Sequence, residues 1–533
     1  MYKHMKACSN KKSSVPGDLP PRLFNEDDVR LALSEPATKI MNMIAKSGEW
    51  PDQFKIEWGT PLQKENNADI ESQLRIISCT NQLSKAFERV VLSWLMLYVK
   101  DKLDPDQLGG QKGNSVTHYL IEITNFILYN QDLKDPHATL AVFYDFSQGF
   151  NRIQYSTLIE VLSNMKVPGW LLRLMIGYLT GRILRVRYKG IISSDKELNA
   201  GTGQGCLLGM WCFLFLCNSA GPEKSNINIG EIITKPLQQR RPIVQMKKKW
   251  IDDMTVVGSL NLKKSLISDE SIFLNGPVTY HNRTGHNLPA SENFIQHDMD
   301  AIQKYATDHH MLINKKKTKA MLFNPHVKYD FMPQLTLTQG SDNIEVVEKC
   351  KVLGQIIRSD LKTISNTEYI CKKAYQRMWV IRRLKSLGCD NNDLLDVLKQ
   401  QVLSVLEQAV PIWGPLLTKV ESVMIERVLK TGLHIVYQSE YKSFTQCLEL
   451  AKLKSLSQRR KDMIFIFSKK SLKSDKFNDW FKQDNGLCNT RHKKPAYKPV
   501  TCRTLKYERS SLPVMTRAVS WHPPKVYISP NIY

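Results

Sequence analysis

Three observations in the 533-residue sequence predict an α+β fold. Leu140-Ala141-Val142-Phe143-Tyr144 is a short apolar run without helical period, as in a buried strand. Leu184, Val186 and Tyr188 alternate with Arg185 and Arg187, as in a half-buried strand with a basic face. Beyond Gly354 the apolar residues recur at helical spacing, with Leu395, Leu398, Val402 and Val405 on one stripe and Val423 to Ile435 carrying another.

Composition narrows the class of protein. Hydrophobic residues make up 42% of the chain, enough for real cores, and the length allows two or three domains. Seventy-five basic residues against 51 acidic ones give a net charge of +24. That excess favours a polyanionic partner, nucleic acid before membrane, over a generically basic surface. The 11 cysteines include no Cys-x-x-Cys pair, so zinc knuckles and zinc fingers find no support. Free thiols and a polar N-terminus without an apolar signal core point to an intracellular protein, in nucleus or cytoplasm, that is not secreted. The longest apolar run, around Cys206 to Cys217, is short for a membrane span, and its cysteines read as small core residues.

Taken in order, the chain opens with turn chemistry through Ser13 to Pro21. Thr60 to Lys64 and Leu74 to Ser78 bracket an expected hairpin. The strand ending at Tyr144 delivers Asp145, a costly place for a carboxylate unless it is paired, caps a helix or binds a metal. Pro168 stands at a first helical position, followed by Leu172, Met175, Ile176 and Leu179, and Gly181 can end that helix. Ser291 can cap a helix carrying Ile295, Met299, Ile302 and Tyr305, and His309-His310 read as surface. Arg459-Arg460-Lys461 and Lys469-Lys470 decorate the helical last third. From Asp484 the composition turns to Pro, Lys, Arg and Tyr, a basic tail. There are no internal repeats.

The most informative residues are Trp250-Ile251-Asp252-Asp253, preceded by Lys247-Lys248-Lys249. Side chains on a strand point to alternate faces, so adjacent aspartates share one site most easily at a hairpin tip. Two like charges about 4 Å apart repel by roughly 4 kcal/mol at an effective dielectric near 20, a cost that a divalent cation relieves. An Asp-Asp pair flanked by lysines therefore suggests a metal site that handles phosphate, whereas a solvated turn is the commoner use of such a pair. Asp145 and Asp252 together suit two hard cations about 3.5–4 Å apart.

The motifs, in order, resemble those of reverse transcriptases of non-LTR retrotransposons. Tyr144 to Ile153 resembles the first catalytic motif, and Pro168 to Leu172 with Tyr178 to Arg182 the segment after it. Gly201 to Gly209 is similar to the second motif and Trp250 to Asp253 to the aromatic-x-Asp-Asp box. Ile313 to Lys319 and Val352-Leu353-Gly354 resemble the fourth and fifth. The resemblance implies a right-hand polymerase fold: fingers and palm over 1–345, a thumb-like helical region over 346–483, and the basic tail over 484–533. It implies an RNA-directed DNA polymerase that joins dNTPs to a primer 3′-hydroxyl on an RNA template. Asp145, Asp252 and Asp253 would hold two Mg²⁺, with Mn²⁺ an alternative. Lys64, Arg75, Phe150, Gln204, Gly205 and Lys317 would meet the incoming dNTP, Phe150 as the sugar gate and Lys317 at the leaving pyrophosphate. Arg185, Arg187, Arg459, Arg460 and Lys461 are candidates for contact with the RNA template, DNA primer or their hybrid, with a solvated surface as the alternative. Retroelements of this type usually carry an endonuclease upstream; no segment here has room for one, and no RNase H motif is apparent.

Several positions depart from the family pattern. Gly149 stands where alanine is common, Gln148 where lysine is, Gly203 for proline, Trp250 for tyrosine or phenylalanine, and Ile76 for proline. None removes a metal ligand. These departures keep open a second reading, a non-catalytic nucleic-acid-binding protein derived from a degenerate or domesticated reverse transcriptase.

Overall fold

In a computed structural model the protein is described over residues 1–8, 15–63, 74–147, 149–221, 232–260, 281–282, 294–325, 331–332, 344–483 and 497–520. Among the described residues the strands run in chain order: β1 Ile56–Gln63, β2 Leu74–Cys79, β3 Ala138–Tyr144, β4 Arg182–Tyr188, β5 Ile191–Ile192, β6 Lys196–Leu198, β7 Gln245–Trp250, β8 Asp253–Leu260, β9 His281–Asn282, β10 Lys319–Phe323, β11 Phe331–Met332, β12 Lys349–Val352 and β13 Gln355–Arg358. Helices fill most of the remainder, so the mixed fold class holds.

The site is carried by a four-stranded antiparallel sheet of order β10-β3-β8-β7. All seven residues of β3 are buried. Ala141 and Phe143 join the core shared with the helix Val116–Gln131, whereas Leu140, Val142 and Tyr144 join the core shared with the helix Phe294–Asp308. A strand covered on both faces reads as a continuous apolar run rather than an alternating one. Ile295, Met299 and Ile302 are buried as expected of the second helix; Ser291 lies outside the described residues.

A second sheet has the order β2-β1-β4-β5, with β6 also on β4. β1 and β2 form the expected antiparallel hairpin, Leu62 opposite Arg75, and β1 runs parallel to β4. Beneath it, Arg182 and Glu57 form an ion pair at 2.7 Å with both side chains 1% exposed.

Three features differ from the sequence expectations. Pro168 is the N-cap of the helix Gly169–Leu179, one position earlier than expected, because its φ of −68° and ψ of 149° are extended. Arg459 is engaged by Glu407 in a two-pronged contact, and Arg460 is 7% exposed with its guanidinium on Ser422 Oγ, so both serve the helical packing; Lys461 is exposed. Residues 497–520, expected as tail, are packed. Buried Asp132 accepts from the Arg503 and Thr504 amides and from Thr504 Oγ1, and the helix Ser511–Ser520 inserts Leu512 and Met515 into the core. Composition dominated the reading of this stretch and hid the apolar spacing of Leu512, Met515 and Val519, which is helical. Among the described residues no helix is long and apolar enough to cross a membrane.

Candidate active site

The register of the sheet brings distant carboxylates together. Tyr144 lies opposite Met254, so Asp145 leaves β3 just where Asp253 opens β8. β7 and β8 close on Trp250 opposite Asp253, with Ile251 and Asp252 as a two-residue connection. Such a connection asks for positive φ at its first central residue, usually met by Gly or Asn. Here Ile251 adopts φ 58°, a strained conformation for a β-branched side chain. The expected hairpin tip is therefore present, and it is held under strain.

The electrostatics follow from burial and mutual repulsion. Burial raises Asp252, Asp145 raises it further, and Arg75 and Lys317 pull it back. Asp253 is pushed up to about 7, by burial first, then by Asp252 and Asp145. Lys317 Nζ stands 3.6 Å from Asp145 Oδ2. Its position is fixed from the backbone. Asn314 N donates to Asp145 O at 2.7 Å, Ser147 N to Leu312 O at 2.7 Å, and Lys317 N to Asn314 O at 3.2 Å. Among the described residues no three His, Cys, Asp or Glu side chains stand in a closed ligand cluster. A site that takes much of its shell from water and substrate oxygens needs no such cluster, and one or two carboxylates suffice for Mg²⁺.

The lysines before the aspartates have a different role from the expected one. Lys249 pairs with Asp104 at 2.8 Å and Lys247 with the same carboxylate at 3.4 Å. Lys248 pairs with Asp106 and Glu122, each at 2.7 Å. All three are buried or nearly so, and they secure β7 rather than face phosphate; the expectation failed because the partner carboxylates lie over a hundred residues upstream. The cations beside the carboxylates are others. A 410 Å³ cleft next to Asp145 and Asp253 is lined by Lys316, Lys317, Lys319, Lys349 and Lys351. Lys349 and Lys351, on β12, were not singled out from sequence; the Lys-Cys-Lys-Val alternation before Val352-Leu353-Gly354 was the available signal.

The remaining expected residues are distributed as follows. Arg75 is exposed on β2, and its charge reaches Asp252; Lys64 lies outside the described residues. Gln204 O accepts from Ser78 N at 2.8 Å, which seats the loop against β2. Gly205 has φ 124°, and a Cβ there would fall 2.5 Å from Ser78 O, so no side chain fits. Phe150 is half-buried and stacks on Phe213 with ring centroids 5.1 Å apart. Arg185 is held by Asp195 and lies over the Trp58 ring, and Arg187 is exposed on β4.

Residues 62–229 match the reverse transcriptase (RNA-dependent DNA polymerase) family. That stretch is similar to the reverse transcriptase domains of transposons. Over 175 residues the chain is 27% identical to a probable RNA-directed DNA polymerase from transposon X-element of Drosophila melanogaster, an alignment covering 32% of this chain and 19% of that protein. The chain thus spans about a fifth of that relative's length in the matched part. The family match takes in Asp145, Phe150 and Gln204-Gly205 and ends before Asp252 and Asp253, whose place in the site rests on the sheet register.

Proposed function

We propose that the chain is an RNA-directed DNA polymerase that joins dNTPs to a primer 3′-hydroxyl. The observation that carries this reading is the sheet register, which sets Asp145 at the end of β3 beside the Asp252-Asp253 hairpin tip; there burial first, then the Asp252 and Asp145 charges, push Asp253 up to about 7. Such a corner fits divalent cations, since a cation removes the repulsion that the fold imposes. Two Mg²⁺ bound by Asp145 and Asp252, with Asp253 in support, would supply charge neutralisation at the attacking and leaving oxygens. In this reading the four-stranded sheet is the palm, the β1–β2 sheet belongs to the fingers, and the helices after residue 346 form the thumb.

The residues then divide the work. Arg75, and Lys64 by its resemblance, grip triphosphate oxygens; Arg does so with a planar fork and Lys as a point charge. Lys317, 66% exposed and beside Asp145, is free to swing to the leaving pyrophosphate and offer it a proton. Gln204 and Gly205 lie against the templating pair, and Phe150 excludes a 2′-hydroxyl. Template RNA, DNA primer and their hybrid are the partners that the +24 charge suits.

The test is primer extension on poly(rA)/oligo(dT) with Mg²⁺. The full chain should extend, and Asp252→Asn should lower extension by a thousandfold or more, on the order of 4 kcal/mol of transition-state stabilisation. Equal extension by that variant removes Asp252 from the site. Binding of the hybrid without any extension by the unaltered chain would favour the non-catalytic reading.

A further inference from the structure

Residues Asp104 to Gly109 lie along the free edge of β7. Lys249 N donates to Asp106 O at 2.9 Å, and Leu108 N donates to Lys249 O at 2.8 Å. Gln107 bridges Lys249 in parallel register. The side chain of Gln107 then reaches past the strand to the turn. Its Oε1 accepts from Ile251 N at 3.1 Å and from Gly109 N at 3.0 Å. Two N–H donors converging on one atom require the carbonyl oxygen there, whichever way the amide is drawn. Gln107 is 4% exposed, so no water substitutes readily for it. Gly109 completes the fit, because a Cβ at that position would fall 2.5 Å from Ile251 N.

We propose that Gln107 is a positioning residue: its carbonyl holds the amide of strained Ile251 and thereby fixes the direction of Asp252 and Asp253. The residues around it form a strap. Asp104 and Asp106 lock it to Lys247, Lys248 and Lys249, so the three lysines set the height of the strap on β7 and Gln107 sets the turn. A β-branched residue at positive φ persists only where its surroundings over-determine it. The strap supplies that determination from a segment far from the hairpin in sequence. The consequence for catalysis rests on the polymerase reading; the consequence for the turn does not.

The experiment compares the full chain with Gln107→Met, which keeps length but offers no acceptor, and Gln107→Glu, which keeps an oxygen. Amide hydrogen exchange is read over the peptide spanning Trp250 to Met254, alongside Mn²⁺ affinity by electron paramagnetic resonance and single-turnover dNTP incorporation. Gln107→Met should speed exchange in that peptide by about tenfold or more, the factor expected for a lost buried hydrogen bond, while the helical last third exchanges as before. Mn²⁺ affinity and incorporation rate should fall with it, and hybrid affinity should not. Gln107→Glu should restore slow exchange. Unchanged exchange over Trp250 to Met254 in Gln107→Met, or a lower melting temperature with Mn²⁺ affinity intact, overturns the proposal. If the unaltered chain fails to incorporate dNTPs while exchange and Mn²⁺ affinity shift as stated, the polymerase reading falls and the strap stands.

Discussion

Phe213 occupies the space that one departure from the family pattern leaves open. A Cβ on Gly149 would fall 2.5 Å from the Phe213 ring, and the same ring is the floor on which Phe150 stacks. Gly203 is similar: a Cβ there would fall 2.2 Å from Glu57 Oε2, one end of the buried pair with Arg182. Both exchanges are therefore matched to their neighbours, which weakens the case that they reflect decay; the departures at Trp250 and Ile76 have no structural explanation here. Phe150→Val should raise ribonucleotide incorporation roughly ten- to hundredfold relative to dNTPs, and Phe213→Leu should do so partially by removing the floor. Competitive incorporation of rNTP and dNTP measures this, and an unchanged ratio in Phe150→Val would make that ring a packing residue only. Gly203→Ala should cost about 1–3 kcal/mol of stability through overpacking against Glu57, read as a lower denaturation midpoint. A neutral Gly203→Ala would mean that the ion pair yields easily.

Between elements, the joint of helix Val116–Gln131 with the last third turns on His118. Its ring stacks on Phe477 at 3.9 Å, with Nδ1 2.8 Å from Ser115 Oγ and Nε2 3.1 Å from Ser471 Oγ. Burial, then the Lys476 charge, lowers its pKa from 6.5 to about 4. The folded protein thus binds fewer protons at this group than the unfolded chain does between those values. Its contribution is present above pH 6.5 and is lost as pH falls towards 4, by ~3 kcal/mol in all. Melting temperature measured from pH 7 to 4 should fall more steeply for the unaltered chain than for His118→Gln. Parallel curves would remove His118 as the cause. In the β12–β13 hairpin Leu353 and Gly354 both take positive φ, so there too the first turn residue is one that does not favour that conformation.

At the scale of the whole molecule, charge and packing compete in the C-terminal region. Arg503 and Thr504 dock on Asp132, and Tyr507, Leu512 and Met515 are buried. Truncation before residue 497 should therefore lower the melting temperature by several degrees and not act as the removal of a free basic arm. A truncated chain with an unchanged melting curve would return this stretch to the role of a tail. Affinity for an RNA/DNA hybrid should weaken steeply with salt, by a log–log slope of about −0.9 per phosphate neutralised as for duplex DNA. A salt-insensitive affinity would leave the +24 charge without a nucleic-acid role.

The sequence by itself determined what is local. A buried strand ending in a carboxylate, a hairpin tip bearing two more, helical stripes and the motif order were all legible, because each depends on a few neighbouring residues. The basic stretches were not legible as exposed or buried. Lys247, Lys248, Lys249, Arg459 and Arg460 look like a nucleic-acid surface in one dimension, and only the folded chain supplies Asp104, Asp106, Glu122 and Glu407 as partners or a buried setting. The same holds for Gln107, which is unremarkable in sequence and meets Ile251 across 144 residues. Tertiary structure decided these roles because charge pairing and hydrogen bonding act over a few ångströms in space, whatever the separation along the chain.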